Sequence, residues 1–177
     1  MKAGLPHVRL RDLKPEDAEA RYRWMTDADV TAYLNVPDRN PPFTLEQTKE
    51  WIQQCINRTN GYEQKAIITD GDQHIGWADL KNIDQANRQA EVGIAIGEKQ
   101  YWKRGYGQAA MHAILTYGFS EMGLHKIWLR VDIDNLAALE SYRAIGFKEE
   151  GVMREDRLRK GVFVDRLRMS VLSSEWS

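Results

Sequence analysis

The amino-acid sequence predicts a mixed α/β fold, one sheet flanked by helices, and three observations carry that prediction. Short stretches of alternating polar and apolar residues recur along the whole chain, separated by segments with helical periodicity. Two of the middle stretches flank Asp70-Gly71-Asp72, a strong hairpin signal. A glycine-rich run, Gln100 to Ala110, follows a strand pattern and opens the longest helical pattern. Strands interleaved with helices in this order point to a mixed sheet.

Taken in order, His7 to Leu13 alternates with Val8 and Leu10 on one face, which predicts a strand. Pro15, Glu16 and Asp17 suit a helix first turn, where a missing N–H costs nothing and acids meet the dipole. That helix runs to about Met25, and a short second one spans Asp27 to Leu34. Asn35 to Phe43 carries Pro37, Pro41 and Pro42 and reads as a loop. Thr44-Leu-Glu-Gln47 fits a capping box at the head of a helix bearing Leu45, Trp51, Ile52 and Ile56. Gln64 to Thr69 and His74 to Ile83 are the hairpin strands, Asn87 lies in a second turn, and Ala90 to Gly97 is a third strand. The helix after the glycines reaches about Met122. Its polar positions recur as Gln108, His112, Thr116 and Ser120, so most of its circumference is apolar and buried. Lys126 to Asp132 is a strand and Asn135 to Ile145 a helix stopped by Gly146. From Phe147 onward two strands turn at Lys160-Gly161.

At 177 residues the chain is expected to form a single domain, residues 1–177, with a core of its own. Hydrophobic residues make up 42% and charged residues 29%, and the net charge of −1 argues against a nucleic-acid surface. Arg and Lys do cluster from Arg154 to Arg168, but acids are interleaved there, which reads as a solvated face. The one cysteine, Cys55, excludes an internal disulfide or a thiolate metal cage and reads as a small core residue. The histidines at 7, 74, 112 and 125 lack ligand spacing, so no metal is expected. No apolar run approaches a membrane span and the first residues lack an apolar signal core, so a reducing cytoplasm is the expected location.

Chemistry concentrates around Lys103-Arg104-Gly105-Tyr106-Gly107-Gln108. Glycines let backbone approach a ligand closely, and a helix start offers unpaired N–H groups carrying partial positive charge. Together they make a phosphate cradle. The spacing also satisfies the dinucleotide fingerprint GxGxxG/A. That fold needs its glycines directly against the preceding strand and further βαβ units. Here Glu98 to Arg104 intervene, and only one short helix and a hairpin follow Asp132. A P-loop fails because no Gly-Lys-Ser/Thr closes a four-residue spacer.

The order of elements, with YWKRGYGQAA and VDIDNLAALESYRAIGFKEEG, resembles the GCN5-related N-acetyltransferase (GNAT) family. Within it the chain is similar to the branch of ribosomal-protein (Rim-like) and spermidine N-acetyltransferases. The features that carry the resemblance are Trp102-Lys-Arg-Gly-Tyr-Gly107, the Asn135, Tyr142, Gly146-Phe147 block, and a tail with Gly161, Asp165, Met169-Ser170 and Glu175-Trp176. One departure is Trp102, where the family loop often begins with Gln or Arg. The resemblance implies the GNAT acyl-CoA N-acyltransferase fold, with a mixed, mostly antiparallel sheet. It also implies acetyl-CoA as co-substrate.

By that resemblance, the backbone from Lys103 to Gln108 grips the pyrophosphate, with charge added by Lys103 and Arg104. The pantetheine arm lies along Ile94, Ala95 and Ile96, pairing like an added strand. Read from the residues alone, Val92, Ile94 and Ile96 put bulk on one face while Gly93, Ala95 and Gly97 keep the other low. A low face suits either a ligand or a packed helix. Asn135 is expected to cap the next helix, and the family adds an amide contact to the arm. Tyr142, two turns further along, matches the family tyrosine that protonates the departing sulfur; its residue-level alternative is an amphipathic core tyrosine. A phenol near pKa ~10 and a thiol near ~8.5 make that transfer feasible. A protonated amine also needs a base. Glu91 heads the low face and is the candidate, equally a charged rim residue, with Asp79 in reserve.

The expected acceptor is a primary amine on a protein N-terminus or a polyamine. An aminoglycoside or amino sugar is the alternative within the enzyme class, and a non-catalytic acetyl-CoA sensor the alternative outside it. Specificity is expected from Tyr22 to Leu34, the loop Asn35 to Phe43 and the final hairpin. Asp27, Asp29 and Asp38 suit a polycation or are simply solvated acids. Relatives in this branch often pair, so a homodimer is expected.

Overall fold

The computed structural model describes residues 4–37 and 40–176. Its elements, in chain order, are β1 (Val8–Asp12), α1 (Asp17–Met25), α2 (Ala28–Thr31), α3 (Leu45–Ile56), β2 (Glu63–Thr69), β3 (His74–Asp84), β4 (Gln89–Ile96), α4 (Tyr106–Ser120), β5 (Lys126–Asp132), α5 (Leu136–Ile145), β6 (Lys148–Arg159) and β7 (Val162–Leu172). The seven strands form one sheet in the order β1-β2-β3-β4-β5-β7-β6. Every neighbouring pair is antiparallel except β4 and β5, which α4 joins by a crossover. The expected mixed, mostly antiparallel α/β sheet is therefore what the chain adopts.

Two apolar layers sandwich the sheet. The larger packs α4 and α5 against one face through Ile114, Leu115, Ile127, Leu129 and Met169. On the other face α1 and α3 cover the β2 side, where Ala18, Ile52 and Cys55 meet Ala66 and Ile68. Cys55 is thus a buried core residue, its thiol pushed up by burial. Because helices lie on both faces there, all seven residues of β2 are buried, polar ones included.

Two local devices were legible in the sequence. Thr44 and Gln47 form the reciprocal capping box at the head of α3. Gly146 ends α5 in a left-handed conformation. The second helix is shorter than expected, Ala28–Thr31 against Asp27 to Leu34, because Asp27 serves as its cap and the chain turns after Thr31.

The start of α1 hangs on Asp17. Its buried carboxylate accepts hydrogen bonds from Arg11 Nη1 and Nη2 (2.8 and 2.7 Å) and from the Lys14 N–H (2.8 Å), and His74 Nδ1 lies 3.1 Å away. Burial alone raises its pKa, but these donors outweigh it and hold the carboxyl well below the usual carboxylate range. A depressed native pKa contributes stability above the unfolded value near ~3.9, which is lost as pH falls through the native one. Asp17→Asn is therefore expected to cost about 2–4 kcal/mol at neutral pH by denaturant titration, with the gap to wild type closing below about pH 4.

Candidate active site

The loop before α4 makes a strained approach to the helix. Lys103 and Gly105 are both left-handed (φ +57° and +83°), with Arg104 between them. Gly105 caps α4 without any side-chain bond, and no acid occupies the first turn. The N–H groups at Tyr106, Gly107 and Gln108 precede the first helical hydrogen bond, from Ala109 N–H to Gly105 O (2.9 Å). Space beside this end is open: a Cβ on Gly107 meets only Ile96 Cγ1, at 4.0 Å. Lys103 and Arg104 are exposed at its rim. Their positive charge and the helix dipole both favour an anion at this spot. The Trp102 indole N–H donates to Ile96 O (2.7 Å) and pins the loop to the end of β4, a role that the usual Gln or Arg would not fill in this way.

The adjoining strands part company. β4 and β5 pair only at Gln89–Lys126, Ala90–Ile127 and Glu91–Trp128. β4 then continues to Ile96 and β5 to Asp132 without a ladder between them. From Val92 to Ile96 one backbone edge of β4 is held by β3, and the other opens into a wedge. Ile94, Ala95 and Ile96 lie along that open edge, whose N–H and C=O groups suit an extended amide-bearing chain.

α5 borders the wedge on the β5 side. Asn135 caps it, its Oδ1 accepting from the Ala138 N–H (3.3 Å), so the capping role is present. Tyr142 lies seven residues on, on the same helical face. The ring packs at 5.7 Å from Phe147, and among the described residues its hydroxyl makes no hydrogen bond. Burial pushes the phenol up to about 12. The side chain therefore stays protonated across the physiological range, a weaker acid than an ordinary tyrosine but always a donor.

The low face of β4 is filled by protein. A Cβ on Gly97 strikes the Trp24 ring, and one on Gly93 lies 2.8 Å from Asp79 Oδ1. Gly97 thus admits a packed helix, the second of the two uses expected, whereas Gly93 admits side chains of the neighbouring strand β3. Glu91 is buried at the point where the strands diverge. It accepts from Arg130 Nε and Nη2 (3.1 and 2.9 Å) and from Asn82 Nδ2 (2.7 Å). Both of its oxygens are committed, which makes Glu91 a clamp between β4 and β5 and a poor fit to the base role. Asp79 differs: its buried Oδ1 has no hydrogen bond among the described residues, with Lys81 Nζ at 3.5 Å.

A cavity of about 660 Å³ lies between the end of α1, α2, the segment after it, and the turn of the β6–β7 hairpin. These are the segments expected to set acceptor specificity, and the volume is within the range of small-molecule sites.

Residues 7–148 match the family model for the acetyltransferase (GNAT) domain. The chain belongs to the GNAT family. It is 30% identical over 173 residues to an N-acetyltransferase, p20, of Bacillus licheniformis, covering 95% of this chain and 94% of the relative. A spermidine N(1)-acetyltransferase of Vibrio cholerae is 32% identical over 137 residues, 77% and 78% of the two chains. A putative ribosomal N-acetyltransferase of Bacillus subtilis is 28% identical over 175 residues, 96% and 93%. The crystal structure of spermidine N-acetyltransferase from Vibrio cholerae in complex with CoA and spermine superposes with a TM-score of 0.86 at 25% identity, covering 96% of this chain and 97% of that one. This GNAT protein is accordingly an N-acetyltransferase.

Several features of this GNAT chain escaped its linear sequence. Asp27 and Asp29 do not face the cavity as free acids; both are tied to Lys99 Nζ (2.7 and 3.0 Å). Asp38 lies outside the described residues. The basic stretch in the hairpin is not a solvated face. Arg157 and Arg159 pair with Asp132 (3.1 and 2.8 Å), and Arg166 and Arg168 pair with Asp156 and Glu150. Arg130 was likewise missed. The only signals were cations recurring at period two on strands, which becomes informative once their facing acids are known. Among the described residues no helix is long and apolar enough to cross a membrane.

Proposed function

We propose that the chain is an acetyl-CoA-dependent N-acetyltransferase that acts on a primary amine, of a protein N-terminus or a polyamine, by direct attack. The observation that carries this reading is the parting of β4 from β5 beside an uncapped start of α4. The uncapped N–H groups at Tyr106, Gly107 and Gln108 fit a pyrophosphate, with Lys103 and Arg104 adding charge. The free edge at Ile94, Ala95 and Ile96 fits a pantetheine arm. Asn135 offers its amide nitrogen to the same arm while its oxygen caps α5.

Acetyl-CoA supplies the acetyl group as a thioester. The amine nitrogen forms the new bond to the acetyl carbon as the carbon–sulfur bond breaks. Tyr142 gives its hydroxyl proton to the sulfur, supported by a phenol that burial keeps protonated. Asp79 takes the amine's proton through water, supported by a buried oxygen that makes no hydrogen bond among the described residues. Glu91 ties β4 to β5 through Arg130 at the point where the wedge begins.

A panel of polyamines, peptides, amino sugars and aminoglycosides, read by release of coenzyme A thiol, tests the activity. Release above the hydrolysis rate with some amine is expected; release with none leaves only a cofactor-binding sensor. The two carboxylates separate by variant. Glu91→Gln should lower the melting temperature and leave kcat within a few-fold of wild type. Asp79→Asn should cut kcat by about a hundredfold and leave the melting temperature little changed. The opposite pattern assigns the base to Glu91.

A further inference from the structure

The acceptor cavity is lined on its hairpin side by Arg157, Arg159 and Lys160, and no described residue lining it is a carboxylate. We infer that the acceptor carries an anionic carboxylate close to its reacting amine, as an N-terminus followed by acidic residues does. This rests on the reading of the chain as an amine acetyltransferase and narrows its substrate class.

The nearby acids are already committed. Asp132 is buried beneath Arg157 and Arg159, and Asp134 meets Arg159 at 2.5 Å. Asp27 and Asp29 bind Lys99. The arginines are fixed as well as charged. Arg157 donates to Tyr33 O (2.9 Å) and Leu34 O (2.6 Å), tying the hairpin to the chain after α2. Its side chain is nine-tenths buried, and its Nε has no partner among the described residues. Arg159 lies 5.3 Å over the Tyr33 ring. Lys160, exposed at the hairpin turn, makes no ion pair among the described residues and is the uncompensated charge of the wall.

A polyamine entering this cavity places its second cation near Lys160. A carboxylate there gains from Lys160, whose charge no acid offsets among the described residues, whereas Asp132 and Asp134 already balance Arg157 and Arg159.

The test is a set of kcat/KM values for four acceptors: a peptide with glutamates at its second and third positions, the same peptide with lysines there, free glutamate, and spermidine. The acidic peptide is expected to exceed the lysine peptide and spermidine by at least about tenfold. Free glutamate matching the acidic peptide assigns the carboxylate to a small amino acid; a much lower value assigns it to a polypeptide N-terminus. Lys160→Glu should cut the acidic peptide's advantage about tenfold through KM, with kcat little changed, because the residue lies on the wall and not at the reacting atoms. Preference for spermidine or the lysine peptide, or a ratio that Lys160→Glu does not move, overturns the inference while the acetyltransferase reading stands. Turnover with none of the four but with another amine of the wider panel overturns the inference alone; turnover with no amine at all removes both.

Discussion

Gly107→Glu is expected to leave the melting temperature unchanged or slightly raised while weakening acetyl-CoA binding by at least a factor of about a hundred. Gly107 is a helical residue in the first turn of α4, and the space where its Cβ would sit is open. Replacing glycine in a helix removes an entropic cost of about 0.5–1 kcal/mol. An acid in a first turn also gains about 0.3–1 kcal/mol from the dipole. The same carboxylate fills the cradle, repels a pyrophosphate and takes its N–H donors. Losing two hydrogen bonds to a charged group, at about 1.5–3 kcal/mol each, accounts for a hundredfold or more. Titration calorimetry with acetyl-CoA and a thermal melt on the same sample read both effects. Undiminished affinity in a folded variant removes the cradle from the proposal. Gly105 is a poorer probe. Its φ of +83° and a Cβ position 3.0 Å from Pro6 Cδ mean that a substitution there disturbs the backbone as well as the ligand.

Tyr142→Phe is expected to lower kcat about a hundredfold and to leave the acetyl-CoA affinity within about twofold. The magnitude follows from general-acid catalysis, which contributes about 10²–10⁴, taken at its lower end because a phenol near 12 is a reluctant acid toward a thiolate near ~8.5. The packing against Phe147 survives the loss of one hydroxyl. Because burial raises the phenol, its deprotonation sets no alkaline limb below about pH 11 in the wild-type rate profile. An ordinary tyrosine would set one near pH 10. A variant with full turnover removes Tyr142 from the mechanism. Glu91→Gln and Asp79→Asn then report on the other proton.

Period and punctuation made most of the fold readable. The Asp70-Gly71-Asp72 hairpin, the Thr44 capping box and the Gly146 stop are local rules obeyed within a few residues. Tertiary context overrode such rules in the all-buried β2, where helices cover both faces. At the site, the glycines at 105 and 107 and the Asn135–Tyr142 spacing were visible because each lies on a single element with a fixed repeat. The splay of β4 from β5 was not, since it is a relation between strands separated by α4.

The amino-acid sequence by itself determined the family and the order of elements and singled out the residues proposed for the donor end, because a helix start and a helix face are set by neighbours within a turn or two. Only the tertiary structure decided that Glu91 is bound by Arg130 and Asn82, that Asp27 and Asp29 are spent on Lys99, and that Arg157, Arg159 and Lys160 line one cavity. Charges act through space across a few ångströms. Whether a carboxylate is a base, a ligand or half of an ion pair depends on which distant residue the sheet brings opposite it.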